Sequence, residues 1–159
     1  MLKPRSALDG ATKFEAPGLS LNEAPNFKLN QIAGDEAALK RALGELPVMG
    51  IAAGKVLRVA PSQFWILDEA PETIQCYVTP LSSSRTRLLL EGENARALLN
   101  SCAAVDFSKI TRNHYVMTGI HHVPVLVHCI GKNQFHLYVM RTFALSIWGW
   151  LVDAARGLS

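Results

Sequence analysis

Histidine is the residue type that most suggests chemistry in this sequence, and all five histidines lie between His114 and His136. The apolar segments on either side of Gly131-Lys132-Asn133 are typical of two strands of a hairpin. In such a hairpin His128 faces His136, and Tyr138 points the same way. The pattern therefore predicts a small cluster of aromatic and imidazole side chains on one face of a sheet.

A metal site is the sharper interpretation of these histidines, and the spacing does not favour it. A structural or catalytic metal needs three or four ligands that converge. Cys129 alternates to the opposite face of the strand from His128, and His121 and His122 occupy adjacent turn positions. We therefore predict half-buried sheet residues or interface contacts, and no metal site.

The cysteines and the short motifs add no catalytic apparatus. Cys76, Cys102 and Cys129 cannot all pair, and their spacings match no zinc knuckle. Free cysteine is usually buried as a small hydrophobic residue, so core packing is the expected role of each. The sequence has no Walker A motif, no G-x-G-x-x-G, no G-x-S-x-G and no H-E-x-x-H. We predict no catalytic, cofactor-binding or metal-binding residue from these patterns.

The composition indicates a folded protein with an ordinary surface. Of its 159 residues 49% are apolar and 18% are charged, which excludes disorder. A net charge of +3 without a Lys/Arg run does not indicate nucleic-acid or membrane-surface binding. No signal peptide and no apolar run of membrane-spanning length are visible. We expect a cytoplasmic location.

The order of predicted elements repeats once along the chain. Residues 26–159 are predicted to form a single domain of two modules, about 26–81 and 85–156, each with the order strand, helix, strand, strand. This order predicts an α+β fold of two intertwined ferredoxin-like halves that share antiparallel sheet. Residues 1–25 have no sustained period and are predicted to form an extended arm.

Local signals place the helices. Asp35 is a candidate N-cap of the first helix, and Glu36 stands four residues before Lys40, the favourable order for a helical ion pair. Thr142 is the candidate cap of the last helix, with Gly157 as its stop.

The last helix has more apolar surface than one sheet can cover. Only a narrow stripe between Phe143 and Ala155 is polar, whereas docking on one sheet needs an apolar stripe of about 100°. Trp148 and Trp150 cannot share a helix face. Either the N-terminal arm or a partner protein is expected to cover the surplus, and Arg141, Phe143, Trp148 and Trp150 are the predicted partner contacts.

Taken together, these segments resemble the gamma subunit of heterotetrameric sarcosine oxidase. The resemblance covers nearly the whole chain and is strongest from Arg87 to Ala155. The matching segments are Arg5–Leu8, Leu21–Pro25, Gly54–Leu67, Gly92–Ala95, Leu98-Leu99, Cys102–Ser108, Val123–His128, Phe135–Ala144 and Ile147–Leu151.

The resemblance implies a fold like the folate-binding domain of the aminomethyltransferase of the glycine cleavage system. It also implies assembly with alpha, beta and delta subunits into a complex that demethylates sarcosine or a related N-methyl amine by oxidation. FAD, FMN, NAD and tetrahydrofolate are then expected in the partner subunits and no cofactor in this chain, which would be a non-catalytic gamma subunit.

The same resemblance offers an alternative through one carboxylate. The segment from Gly92 to Ser108 is similar to the aminomethyltransferase segment that ends in the catalytic aspartate, and Asp106 occupies the matching position. A folate contact by Asp106 is therefore an alternative function. The acidic pair that follows in the enzyme is replaced here around residues 119–124, and a lone aspartate after a helix is commonly a cap or turn residue.

Overall fold

The computed structural model describes residues 5–72 and 75–158. The helices are α1 (Glu36–Leu43), α2 (Ala95–Cys102) and α3 (Ala144–Gly157). The strands are β1 (Lys13–Ala16), β2 (Leu19–Glu23), β3 (Asn30–Ala33), β4 (Val56–Ala60), β5 (Gln63–Ile66), β6 (Tyr77–Pro80), β7 (Arg85–Glu91), β8 (Tyr115–Ile120), β9 (Val123–Gly131) and β10 (Gln134–Met140). Short 3₁₀ turns cover Phe107–Lys109 and Arg141–Phe143. No helix among the described residues has the length and apolar character needed to cross a membrane.

The strands form two antiparallel sheets that pack face to face. The larger sheet has six strands in the order β1-β2-β7-β10-β9-β8, and the smaller has four in the order β4-β5-β3-β6. Helices α2 and α3 cover the outer face of the larger sheet, and α1 covers the outer face of the smaller. The layers therefore run helix, sheet, sheet, helix, and the predicted α+β class is confirmed.

Alternation along the strands decides which side chains enter which layer. In β7 the residues Thr86, Leu88 and Leu90 are buried under the helices, while their neighbours point to the other sheet. Strand β9 is buried on both faces over Val125–Cys129, which explains its nearly unbroken apolar sequence.

Helix α1 starts where its sequence signal predicts. The Asp35 side chain accepts a hydrogen bond from the Ala38 backbone N–H at 2.8 Å, which confirms the predicted N-cap. The predicted pair on the exposed face also forms, with Lys40 Nζ 3.3 Å from Glu36 Oε1. Gly44 ends the helix with a positive φ of 78°.

Two sequence-based expectations about organisation are wrong. The described part of the predicted arm, residues 5–25, contains the β1–β2 hairpin, which extends the larger sheet through β7 and places Leu8, Leu19 and Leu21 in the core. Its first four residues lie outside the described residues, as do Thr73 and Ile74 in the first module. The two modules also do not share a sheet: each contributes its own.

The ends of α3 also differ from those predicted by its cap and stop residues. Thr142 lies in the 3₁₀ turn rather than at the cap, and α3 follows that turn directly, with no side-chain cap bond at Phe143. Gly157 is still helical, and the helix ends at Leu158.

Gly92 is required where the hairpin meets the end of β7. Its φ is 125°, and a Cβ atom there would lie 2.2 Å from the Gly18 carbonyl oxygen. Only glycine permits this approach, so Gly92 fixes how closely the N-terminal hairpin packs against the end of β7.

A tyrosine hydroxyl links the two sheets at their free edges. Tyr115 on β8 is 5% exposed, and its hydroxyl accepts a hydrogen bond from the Arg58 N–H at 2.8 Å and donates one to the Arg58 carbonyl at 2.7 Å. Arg58 lies on the edge strand β4, so these backbone groups have no neighbouring strand to pair with.

Replacing Tyr115 by phenylalanine leaves both Arg58 backbone groups without the hydroxyl. We expect Tyr115→Phe to lower the free energy of unfolding by about 1–3 kcal/mol, measured by urea denaturation, because buried polar groups without partners are costly. Tyr77→Phe is the matched control, since Tyr77 is 82% exposed, and it should change stability by less than about 0.5 kcal/mol. Equal effects of the two variants would contradict the proposed link.

Candidate functional site

The predicted histidine cluster lies in the layer between the two sheets. His128 and His136 are direct partners in the β9–β10 register, as predicted from the hairpin. The Tyr115 ring is edge-on to His128 at 6.5 Å between centroids, and the Tyr138 ring is edge-on to His136 at 6.3 Å. The cluster predicted on one sheet face is therefore present.

Aromatic and cationic groups of both sheets complete this layer. Trp65 of the smaller sheet packs edge-on against Tyr138 at 6.1 Å and donates through Nε1 to Gln31 Oε1 at 3.2 Å. The Arg87 guanidinium lies 5.0 Å from the centroid of Phe27.

Burial decides the charge of both imidazoles. His128 is 6% exposed, and neither ring nitrogen has a hydrogen-bond partner within the part of the chain that the structure describes. Burial lowers the pKa of His128, and burial assisted by the Arg87 and His128 charges lowers the pKa of His136 to about 4. Both rings are therefore neutral at pH 7.

The cluster has the features of a packed layer rather than of a reaction centre. Cys129 faces the opposite side of the sheet, where its thiol donates to the Gly131 carbonyl at 3.1 Å. His121 and His122 form the β8–β9 turn with φ values of 48° and 66°. No group of three or more potential metal ligands occurs among residues 5–72 and 75–158.

The cysteines take the predicted packing role. Cys129 is fully buried and Cys102 is half-buried against the same core, while Cys76 packs at the α1 side of the smaller sheet.

Asp106 serves as a cap. Its side chain accepts a hydrogen bond from the Ser108 N–H at 3.0 Å and a second from the Ser108 hydroxyl, at the start of the 3₁₀ turn Phe107–Lys109. These bonds lower the pKa of Asp106, so the exposed carboxylate is ionised and engaged. One carboxylate oxygen, Oδ1, accepts both Ser108 bonds, and the other, Oδ2, lies 3.9 Å from Lys109 Nζ.

The four predicted partner contacts separate in the structure. Trp148 is 6% exposed and packs in the core under α3, so its assignment as a partner contact is wrong: its helix face is the one that docks on the sheet. Trp150 is half-buried and stacks on His121 at 4.4 Å. Phe143 and Arg141 are exposed at the start of α3.

Exposed apolar side chains gather in two places. The first, here called the α3 patch, consists of Met140, Phe143 and Leu145, which are 39%, 40% and 49% exposed. The second, here called the edge patch, consists of Val48, Met49, Ile51 and Met117. Met49 and Met117 of the edge patch line a cleft of about 280 Å³ beside the Tyr115 link.

Sequence reasoning did not find the edge patch or the role of Tyr115. Val48, Met49 and Ile51 stand in a loop after Pro47, where periodicity carries no information. The useful signal was the run of apolar residues in a segment rich in proline and glycine, which is unusual for a solvated loop.

The neutral histidines make the stability of the protein depend on pH. Their pKa values are lowered in the folded chain and ordinary, about 6.5, in the unfolded chain, so the unfolded chain binds more protons below that value. We expect the urea midpoint to fall as the pH is lowered from about 6.5 towards 4. The neutral histidines contribute fully to stability above about pH 6.5.

A histidine variant tests which residue makes stability depend on pH. His128→Leu should reduce the loss of stability between about pH 7 and pH 5, because the buried imidazole is removed. His122→Asn is the control: His122 is exposed, asparagine accepts its positive φ, and the slope should stay as in the parent. An unchanged slope in His128→Leu would refute the assignment to His128.

The comparisons with known proteins concern the fold. No protein-family model matches the sequence, and neither does any curated protein. Among solved structures, the chain is similar to a chain of the heterotetrameric sarcosine oxidase from Corynebacterium sp. U-96, determined in complex with pyrrole 2-carboxylate. That match has a TM-score of 0.84 and 22% identity, and covers 98% of this chain and 96% of the other.

A second likeness is to the glycine cleavage system aminomethyltransferase T from Bartonella henselae. It has a TM-score of 0.63 and 16% identity, and covers 87% of this chain but 46% of that chain. This chain thus spans less than half the length of the aminomethyltransferase. The chain has the fold of the sarcosine oxidase chain over almost its whole length, and the fold of one part of the aminomethyltransferase.

Proposed function

We propose that this chain is a non-catalytic subunit, of the gamma type, of a heterotetrameric sarcosine oxidase-like flavoenzyme. The observation that carries the proposal is the mutual coverage with the sarcosine oxidase chain, 98% and 96% at a TM-score of 0.84. Two chains of nearly equal length with one fold over their whole extent suit equivalent positions in an assembly. The aminomethyltransferase has this fold within a chain about twice as long, so it supports the function of this chain less directly.

The exposed apolar side chains support a subunit role. The α3 patch and the edge patch present large apolar groups at 39–65% exposure. Aromatic residues and methionine are enriched in protein interfaces, where they exclude water around the contact. Arg141 beside Phe143 adds a cation that a partner carboxylate can pair with.

In this proposal the chemistry belongs to the partner subunits. Three titratable groups that sequence analysis singled out make contacts within the fold: His128 and His136 lie between the sheets, and Asp106 caps a turn. Alpha, beta and delta subunits would hold FAD, FMN, NAD and tetrahydrofolate and would oxidise sarcosine or a related N-methyl amine. The complex would work in the cytoplasm, and this chain would supply structural contacts.

Truncation of the α3 patch tests the placement of the interface. Phe143→Ala should weaken association with co-expressed alpha, beta and delta subunits by about thirtyfold, corresponding to roughly 2 kcal/mol for an interface aromatic. Affinity purification followed by size-exclusion chromatography measures it. Leu158→Ala is the matched control, because Leu158 is 44% exposed at the other end of α3 and outside the patch.

Two outcomes distinguish an error in the position of the interface from an error in the proposed function. If Phe143→Ala and Leu158→Ala assemble alike, the α3 patch is not the interface, and Met117→Asp then tests the edge patch. If the parent chain is a stable monomer that retains none of the three subunits, the chain is a stand-alone binding module and the proposed function is wrong.

The folate alternative is tested on the isolated full chain. We expect no micromolar binding of tetrahydrofolate by calorimetry, because the Asp106 carboxylate is held by Ser108. Asp106→Asn should then give the same calorimetric trace with tetrahydrofolate as the parent chain. Micromolar binding by the parent that is lost in Asp106→Asn would establish the alternative instead.

A further inference from the structure

A cleft of about 570 Å³ lies where the N-terminal segment, the loop before β3, the start of β7 and the 3₁₀ turn before α3 meet. Its volume is in the range of small-molecule sites. Among its lining residues, only Arg141 is predicted from the sequence to have a contact role, as a partner contact. The cleft adjoins the histidine layer, with which it shares Phe27, and it has no lining residue in common with the edge patch.

Positive charge is in excess on the walls of this cleft. Three guanidinium groups, Arg5, Arg85 and Arg141, line it against the single carboxylate of Glu23. Glu23 is already engaged, since it accepts a hydrogen bond from the Ser6 hydroxyl at 2.7 Å. Arg5 pairs with Asp9 at 2.8 Å, on the solvent side.

The other two guanidinium groups have no counter-ion of their own. Among the described residues neither Arg85 nor Arg141 lies within 4.0 Å of a carboxylate oxygen. Arg85 is half-buried and donates to the Ser84 hydroxyl at 3.1 Å. Arg141 donates to the Arg5 backbone carbonyl. Several N–H donors of each group therefore remain for another acceptor.

Packing holds Arg85 in a fixed place. Its guanidinium lies 5.7 Å from the centroid of the Trp65 ring, a cation–π geometry that restrains the side chain. Burial lowers the pKa of Arg85, yet arginine stays protonated at neutral pH. A positive group held in a half-buried position is stabilised by a negative group beside it, so the position of Arg85 favours a negative ligand in the cleft.

We propose that this cleft binds a small molecule through an oxyanion, a carboxylate or a phosphate, held between Arg85 and Arg141. The planar guanidinium fork matches either group with paired hydrogen bonds. The hydroxyl of Ser83 lines the same cleft and supplies a neutral donor. The Phe27 side chain and Pro25 give the cleft an apolar wall, which suits a ligand with an apolar body beside its acid group.

Arginine side-chain Nε–Hε signals of the ¹⁵N-labelled full chain report binding directly. We expect saturable shifts of the Arg85 and Arg141 signals on titration with glutarate or with inorganic phosphate, with a Kd on the order of 1 mM, at constant ionic strength set by chloride. The anion that binds more tightly identifies the source of the oxyanion as a carboxylate or a phosphate.

Variants locate the site. Arg85→Gln and Arg141→Gln should each raise the Kd at least about tenfold, because each removes charged donors to the anion. Arg41→Gln is the control, since Arg41 is an exposed arginine on α1 and the variant loses the same charge elsewhere. Because Arg141 is exposed, Arg141→Gln keeps the test decisive even if Arg85→Gln fails to fold.

The proposal is overturned if neither anion gives saturable shifts beyond those caused by chloride. It is also overturned if Arg141→Gln binds as tightly as Arg41→Gln. Neither result bears on assembly with partner subunits, so the oxyanion site and the proposed function are tested separately.

Discussion

The central constraint on this structure is that the central strands of its larger sheet are buried on both faces. Helices cover one face and the second sheet covers the other, so strands such as β9 have no solvent side. A polar group in such a strand must find a partner inside the protein or remain without one. The Tyr115 hydroxyl finds the Arg58 backbone, and the Trp65 indole finds Gln31. His128 finds none among the described residues and stays neutral, which ties the stability of the sandwich to pH.

The same constraint explains what the sequence could and could not predict. The apolar segments on either side of Gly131-Lys132-Asn133 form the predicted hairpin, β9 and β10, and the Asp35 cap marks the start of α1. The β1–β2 hairpin was missed because its strands are only four and five residues long, with partly exposed side chains on β1. Its position depends on pairing with β7, some seventy residues away, and local periodicity does not report such contacts.

The candidate sites show more clearly what local sequence patterns can and cannot predict. The His128–His136 pairing was predictable because a short hairpin fixes the register of its strands. Trp148 was misassigned because an apolar surplus on α3 does not say which tryptophan faces the core; only the docking direction does, and it buries Ile147, Trp148 and Leu151 together. The arginine cleft was invisible for a different reason, since its walls come from four separate segments of the chain.

Several titratable groups of this layered sandwich make contacts within the fold. The His128 and His136 imidazoles are desolvated between the sheets, the exposed Asp106 carboxylate caps a turn through Ser108, and the Cys129 thiol is buried in the core. What the chain does present lies around its perimeter: apolar side chains at the start of α3 and at the free edges of β4 and β8, and unpaired guanidinium groups in the cleft beside the N-terminal hairpin. Perimeter features of this type can bind proteins and anions without disturbing the core, because neither requires a strand or a helix to move. The desolvated groups and the exposed perimeter groups therefore occupy different parts of the fold, so substitutions on the perimeter can probe binding while the core stays unchanged.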